Sequence, residues 1–166
     1  MPPDLEFRRL VRNEWKVLRD ARLIALDESP RSFLAKCDEE KRYDQERWQA
    51  EFDRGEWFVS ELDDRHVFLT GVTRESGAPA NERYLEYVWV AKGFRNRGIA
   101  FDMLTDIIGE LKESGVRTVI LWTLDDSNDP AQLLYKQLDF VTTNERQTLD
   151  FDPEGRCWER LRRDLI

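Results

Sequence analysis

One stretch constrains this chain more than any other: Tyr84 to Ser114, YLEYVWVAKGFRNRGIAFDMLTDIIGELKES, where an apolar strand, a basic turn and an amphipathic helix follow without a break. Aromatic and β-branched residues dominate YLEYVWV and the run stops at Lys92-Gly93, as a buried or half-buried strand does. Past the turn, Ile99, Met103, Leu104, Ile107, Ile108 and Leu111 recur at intervals of one, three and four residues, which predicts one buried helix face. A helix start carries backbone N–H groups without intrahelical partners and a partial positive charge, so small residues there let a phosphate come close. Lys92, Arg95 and Arg97 add whole charges, and the stretch reads as an anion-binding crossover.

The turn, Arg95-Asn96-Arg97-Gly98-Ile99-Ala100, fits the pattern Arg/Gln-x-x-Gly-x-Gly/Ala. With the strand before it and the helix after it, it resembles the acetyl-CoA site of the GNAT superfamily of N-acetyltransferases. Downstream, Asn128, Ala131, Leu134-Tyr135 and Phe140 in SNDPAQLLYKQLDF are similar to the family's second motif, an Asn followed by an Ala and a Leu-Tyr on a short helix ending in Gly-Phe. Two motifs in the right order are far more specific than either alone. WKVLRDARLIALDESPRSF also resembles the N-terminal helix of many bacterial members.

The resemblance implies an α/β (α+β) fold, one domain over residues 1–166, with a mixed, mostly antiparallel central sheet splayed near its centre and helices on both faces. It implies transfer of an acetyl group from acetyl-CoA, the co-substrate, to a primary amine of a small molecule or peptide. In that scheme the backbone of Val88, Trp89 and Val90 holds the pantetheine arm and the acetyl carbonyl. Arg95, Asn96, Arg97, Gly98, Ile99 and Ala100 wrap the pyrophosphate, Asn128 contacts CoA, and Tyr135 protonates the departing sulfur. The chain departs from the family pattern at Asn96, where Gly is frequent, and at Ala100, a variant of the last Gly. Asp139 replaces the Gly before the final Phe, and Lys92-Gly93 replaces a common Pro-containing pair.

The residues carry their own alternatives. Glu86 is a carboxylate inside an apolar strand, and it is either the general base of the transfer or a residue of an exposed strand face. Tyr135 shares an apolar helical face with Ala131, Leu134 and Leu138, so its ring fits a core as well as a general-acid role, for which a reference pKa of about 10 suits it. Asn128 also reads as a helix cap. Asp125 and Asp126 are further candidates for binding or deprotonating a cationic amine. Trp48 and Phe52, one helical turn apart, suit a core or the wall of an acceptor pocket. His66, at a strand edge, reads as structural.

At 166 residues the chain is long enough for one domain with a core that needs no disulfides. Its formal charge of −8 argues against non-specific nucleic-acid binding, which depends on neutralising phosphates. Surplus acid serves solubility, or draws a cationic amine to an acidic cleft. Cys37, Cys157 and the single His66 have no metal-ligand or redox spacing. MPPDLEFRR lacks an apolar leader core and no run reaches the length of a membrane span, so a cytoplasmic protein with no membrane partner is expected, as monomer or homodimer. A nucleotide other than CoA is disfavoured, since neither Gly-Lys-Ser/Thr nor Gly-x-Gly-x-x-Gly occurs. An acyl-CoA-binding domain without catalysis is the alternative reading.

In chain order the pattern predicts a strand in LEFRRLV and a helix from Glu14 to Asp27 capped by Asn13. That helix buries Trp15, Leu18, Ala21 and Ala25, with Val17 and Ile24 widening the face. A marginal helix spans Asp44 to Phe52. EWFVSEL and RHVFLTGVTR form a hairpin at Asp63-Asp64, and ESGAPANE loops into the strand at Tyr84. After the central helix, capped by Gly115, RTVILWTL returns as a parallel strand. A helix from Pro130 to Leu138 follows, then terminal strands in FVTTNERQTLDF and RCWERLRRDL, parted by a turn at Asp152 to Gly155.

Overall fold

The computed structural model describes residues 5–33, 37–150 and 152–166, and of Cys37 the backbone alone. Seven strands form one sheet in the order β1-β2-β3-β4-β5-β7-β6, an α+β arrangement with five helices. The chain divides into two compact units, one taking in residues up to Arg74 together with Leu85–Met103, the other Glu75–Tyr84 with Leu104–Ile166.

In the first unit, β1 (Arg8–Arg9) pairs antiparallel with β2 (Gly55–Leu62), which pairs antiparallel with β3 (Arg65–Thr73). The β2–β3 hairpin turns at Asp63 and Asp64, whose φ values of 50° and 61° give the left-handed pair that a two-residue hairpin favours. β4 (Glu82–Val90) begins in the second unit and ends in the first, where Ala91 donates its N–H to Val67 of β3 at 2.9 Å. Around these strands lie α1 (Trp15–Glu28), the four-residue α2 (Cys37–Glu40) and α3 (Gln45–Asp53). Leu18, Ala21, Ala25 and Leu26 of α1 pack with Trp48 and Phe52 of α3, Trp57 and Val59 of β2, Leu69 of β3 and Trp89 of β4. Trp48 and Phe52 are therefore core, and Trp48 is 1 % exposed.

α4 (Ile99–Glu113) starts in the first unit and runs into the second. Its six expected core residues are all buried. Gly115 ends it at φ 101°, with Val116 N–H reaching Leu111 O at 3.0 Å, a glycine-dependent helix stop. In the second unit β5 (Thr118–Leu124) pairs parallel with the start of β4, from Glu82 opposite Thr118 to Tyr84 opposite Ile120. β7 (Cys157–Asp164) lies antiparallel between β5 and β6 (Val141–Thr148), and α5 (Pro130–Gln137) precedes β6.

The structure corrects several local expectations. The first strand shrinks to two residues, and a 3₁₀ turn over Arg12–Glu14 takes up Asn13, which caps nothing; Glu14 instead accepts from the Val11 N–H at 3.1 Å. Ile24 is exposed, and the α1 face widens on the other side, through Arg22 and Leu26. α2 was not foreseen. The Cys37 side chain and Phe151, the last residue of the expected FVTTNERQTLDF strand, lie outside the described residues.

Candidate active site

β4 has a break inside it. Tyr87 takes φ 57°, left-handed backbone in the middle of a strand. That conformation costs an L-residue on the order of 1–2 kcal/mol, so the surroundings must hold it. Its ring stacks on Phe33 with centroids 5.3 Å apart and meets Trp57 edge-on at 6.3 Å. Its hydroxyl accepts from Arg22 Nη2 at 2.9 Å and donates to Glu40.

Arg22 is the centre of this arrangement. Its side chain is 3 % exposed, and its guanidinium lies over the rings of Tyr87, Trp48 and Trp57 at 4.3, 5.1 and 5.4 Å. Two carboxylates neutralise it, Glu40 at 2.5 Å and Glu51 at 3.0 Å. Burial opposes the Arg22 charge, but the fields of Tyr87, Glu40 and Glu51 outweigh it and raise its pKa further. Burial raises the Glu40 carboxyl above its usual range, and burial lifts the Tyr87 phenol well above its own. Burial also pushes at Glu51, but its bonds to Arg22 and Arg54 prevail and hold it low.

Glu86 hangs on the outer end of this network. Arg54, the residue that caps α3, donates Nε to Glu51 Oε2 at 3.0 Å and Nη2 to Glu86 Oε1 at 2.6 Å. Thr73 of β3 donates to Glu86 Oε2 at 3.2 Å. The Glu86 side chain is 15 % exposed and ion-paired, so it stands on no exposed strand face. Sequence reasoning found Glu86 but missed Arg22, Glu40, Glu51, Arg54 and the conformation of Tyr87. A signal existed for two of them. Leu18, Arg22, Ala25 and Leu26 keep helical period, as do Trp48, Glu51 and Phe52, so each charge fills a core slot.

The turn from Lys92 to Gly98 joins β4 to α4. Gly93, Asn96 and Gly98 take φ of 88°, 60° and 76°, so Asn96 supplies the left-handed backbone that Gly would provide more freely. Nothing lies within 4 Å of a Cβ built on Gly93 or Gly98, which leaves open space beside the turn. Ile99 is buried at the helix start, and Asp102 N–H closes the first helical bond to Gly98 O at 3.0 Å. Arg97 is exposed, over the Phe94 ring at 5.7 Å, and Lys92 is also exposed. Arg95, expected to add its charge to the turn, is ion-paired within the chain. It donates to Val90 O, Glu28 and Ser29 at 2.8, 3.1 and 2.7 Å, so it braces the turn against the end of α1. Of the three expected β4 residues, Trp89 turns its side chain into the core while Val88 and Val90 are half-buried, so Trp89 offers only backbone.

In the second unit, Tyr135 of α5 is buried edge-on to Phe140 at 5.9 Å, and burial pushes its phenol far above the usual range. Asp129, not Asn128, caps α5, accepting from Ala131 N–H at 2.9 Å. Asn128 donates its N–H to Asp126 at 2.9 Å, and Asp125 is paired with Arg146 at 3.0 Å, so both aspartates are engaged with the chain itself. The Nδ1 of His66 is buried without a hydrogen-bond partner among the described residues.

Comparison with known proteins agrees with the fold. The chain shares its fold with a GNAT-family acetyltransferase from Streptococcus pneumoniae (TM-score 0.77, 17 % identity, 98 % of this chain and 100 % of that one). It also matches the yncA protein of Salmonella typhimurium, whose structure holds its cofactor acetyl-CoA (TM-score 0.76, 12 % identity, 98 % and 95 %). A third match is a ribosomal-protein-alanine N-acetyltransferase from Brucella melitensis (TM-score 0.72, 17 % identity, 96 % and 99 %). No curated protein matches the sequence. The sequence model of the Acetyltransferase (GNAT) family matches residues 20–140, from within α1 to just past α5, which is most of the chain: the protein belongs to the GNAT acetyltransferase family.

Proposed function

We propose that the protein is an N-acetyltransferase that moves the acetyl group of acetyl-CoA directly to a primary amine of a small molecule or peptide. The observation that carries this reading is the open, basic turn between β4 and α4, with its three left-handed residues, inside the segment that the family model matches. The open turn before α4 and Arg97, with the backbone of Asn96, Gly98, Ile99 and Ala100, suit a pyrophosphate. Arg95 contributes by fixing the turn. The backbone of Val88, Trp89 and Val90 would hold the pantetheine arm, and Asn128 would contact CoA.

In the transfer, the amine nitrogen attacks the thioester carbonyl, the C–S bond breaks and its electron pair leaves on sulfur. The proton shed by the nitrogen passes to Glu86, directly or through water, and the chief work of the enzyme is to align the reactants. Tyr135 is the proposed donor to the sulfur. Burial makes its phenol a far weaker acid than a thiol, so it serves the thiolate chiefly as a hydrogen-bond donor and stays protonated at every working pH.

CoA release from acetyl-CoA, measured over a panel of amines, tests the reading. Tyr135→Phe is expected to retain acetyl-CoA binding and lose about a hundred- to a thousandfold in turnover, the range for removing one donor at a developing charge. One observation favours the alternative of an acyl-CoA-binding domain without catalysis: both Glu86 oxygens are engaged by Arg54 and Thr73. Absence of amine-dependent CoA release by a protein that binds acetyl-CoA would select it.

A further inference from the structure

We propose that Arg54 is a positioning residue for the transfer, which aims the Glu86 carboxylate at the proton it takes. The inference rests on the reading of Glu86 as the base. A carboxylate on a strand side chain rotates about several bonds, and proton transfer in a crowded site tolerates little misplacement. Here both of its oxygens are held, Oε1 by Arg54 at 2.6 Å and Oε2 by Thr73 at 3.2 Å. An ionised carboxylate has about four lone-pair positions, so these two bonds fix the plane of the group and leave acceptor capacity for an amine or a water.

Arg54 is itself fixed. Its Nε is bonded to Glu51, whose same oxygen takes Arg22 Nη1 at 3.0 Å, and Arg22 is locked among three aromatic rings. The rigid fork of a guanidinium can span two carboxylates at fixed angles, which an ammonium on a flexible stem does not do. The chain Arg22, Glu51, Arg54, Glu86 thus carries the rigidity of the core to the one carboxylate at its outer end. The charged groups that face Glu86 among the described residues are Arg54, with Glu51 and Arg22 behind it, and Thr73 is its neutral partner. Arg54 is also the most exposed member, at 42 %, so its loss opens no hole in the core, and the melting temperature reads what its ion pairs to the less exposed Glu51 and Glu86 contribute.

The test measures CoA release from acetyl-CoA with spermidine, lysine amide, an alanyl peptide or water alone as acceptor, for the wild type, Arg54→Ala, Arg54→Lys, Glu86→Gln and the Arg54→Ala, Glu86→Gln double variant, each with its melting temperature. Arg54→Ala is expected to lower kcat about ten- to a hundredfold with KM for acetyl-CoA unchanged. Arg54→Lys, or guanidinium ion at sub-denaturing concentration added to Arg54→Ala, should recover part of that loss, and Arg54→Ala should cost nothing further in the Glu86→Gln background. A merely structural role would instead lower the melting temperature and give no rescue. If Glu86→Gln abolishes turnover while Arg54→Ala leaves kcat unchanged, the base stands and the role of Arg54 is overturned. If Glu86→Gln keeps full turnover, or the wild type releases no CoA with any acceptor, the underlying reading falls and this proposal with it.

Discussion

Arg22 is 3 % exposed and is paired with two carboxylates that are themselves buried. Removing it leaves Glu40 buried with no other ion-pair partner among the described residues and takes from Glu51 one of its arginine partners, and breaking a buried pair in this way costs about 3–5 kcal/mol. Arg22→Met is therefore expected to lower the urea midpoint sharply, and adding Glu40→Gln should recover part of the loss; an unchanged midpoint would show that water already neutralises the pair. Gly71 is constrained by the same cage from behind. A Cβ there would lie 2.4 Å from the Trp57 ring, so Gly71→Ala should destabilise by about 1–3 kcal/mol through overpacking, read in the same melts. The two carboxylates also respond to acid in opposite directions. Glu51 is held low, so its contribution is complete above the usual carboxylate range and is lost as pH falls through its folded value. Glu40 is raised by burial, so its contribution is complete below that range and is lost as pH rises through its folded value. Glu51→Gln should accordingly flatten the fall of melting temperature on acidification, and a variant as acid-sensitive as the wild type would contradict this assignment.

At the scale of elements, what could be read from sequence was what hydrophobic period encodes. β4, α4 and β5 were legible because YLEYVWV is rich in aromatic and β-branched residues while the Ile99 to Leu111 stripe is buried and RTVILWTL is buried over most of its length, and the parallel pairing of β4 with β5 follows. The turn between them was legible for a different reason: Gly93, Asn96 and Gly98 are the residue types that left-handed backbone requires, and each takes it. Caps were less legible, since Asn13 and Asn128 are good capping residues by type, yet Glu14 and Asp129 accept the bonds. One residue of displacement decides a cap, and pattern alone does not resolve it. The break at Tyr87 was hidden altogether. Tyr favours extended backbone, and the contacts that hold it left-handed come from Phe33, Trp57, Arg22 and Glu40, all distant in sequence. The burial of Arg22 and Glu51 was hidden for the same reason, because each charge becomes tolerable only beside a partner from another element. Tyr87→Phe, which keeps the ring and loses the hydroxyl, should cost about 1–3 kcal/mol by leaving Glu40 short of a donor, and an undiminished melting temperature would assign the bend to ring stacking alone.

For the whole molecule, the family match and the seven-stranded sheet agree with the fold that the two motifs implied. Among the described residues no helix is long and apolar enough to cross a membrane. The acceptor is not written in the fold, which many chemistries share. The cofactor is the part of the account with the most direct physical basis, since it rests on a helix start and a turn whose backbone is open to an anion. Calorimetric titration with acetyl-CoA, of the wild type and of an Arg97→Glu, Gly98→Glu variant with the same melting temperature, tests it most directly. The account expects micromolar binding by the wild type and none by the variant, which puts repelling charge where phosphate should lie. A folded wild type that does not bind acetyl-CoA, or a variant that binds it equally well, would contradict it.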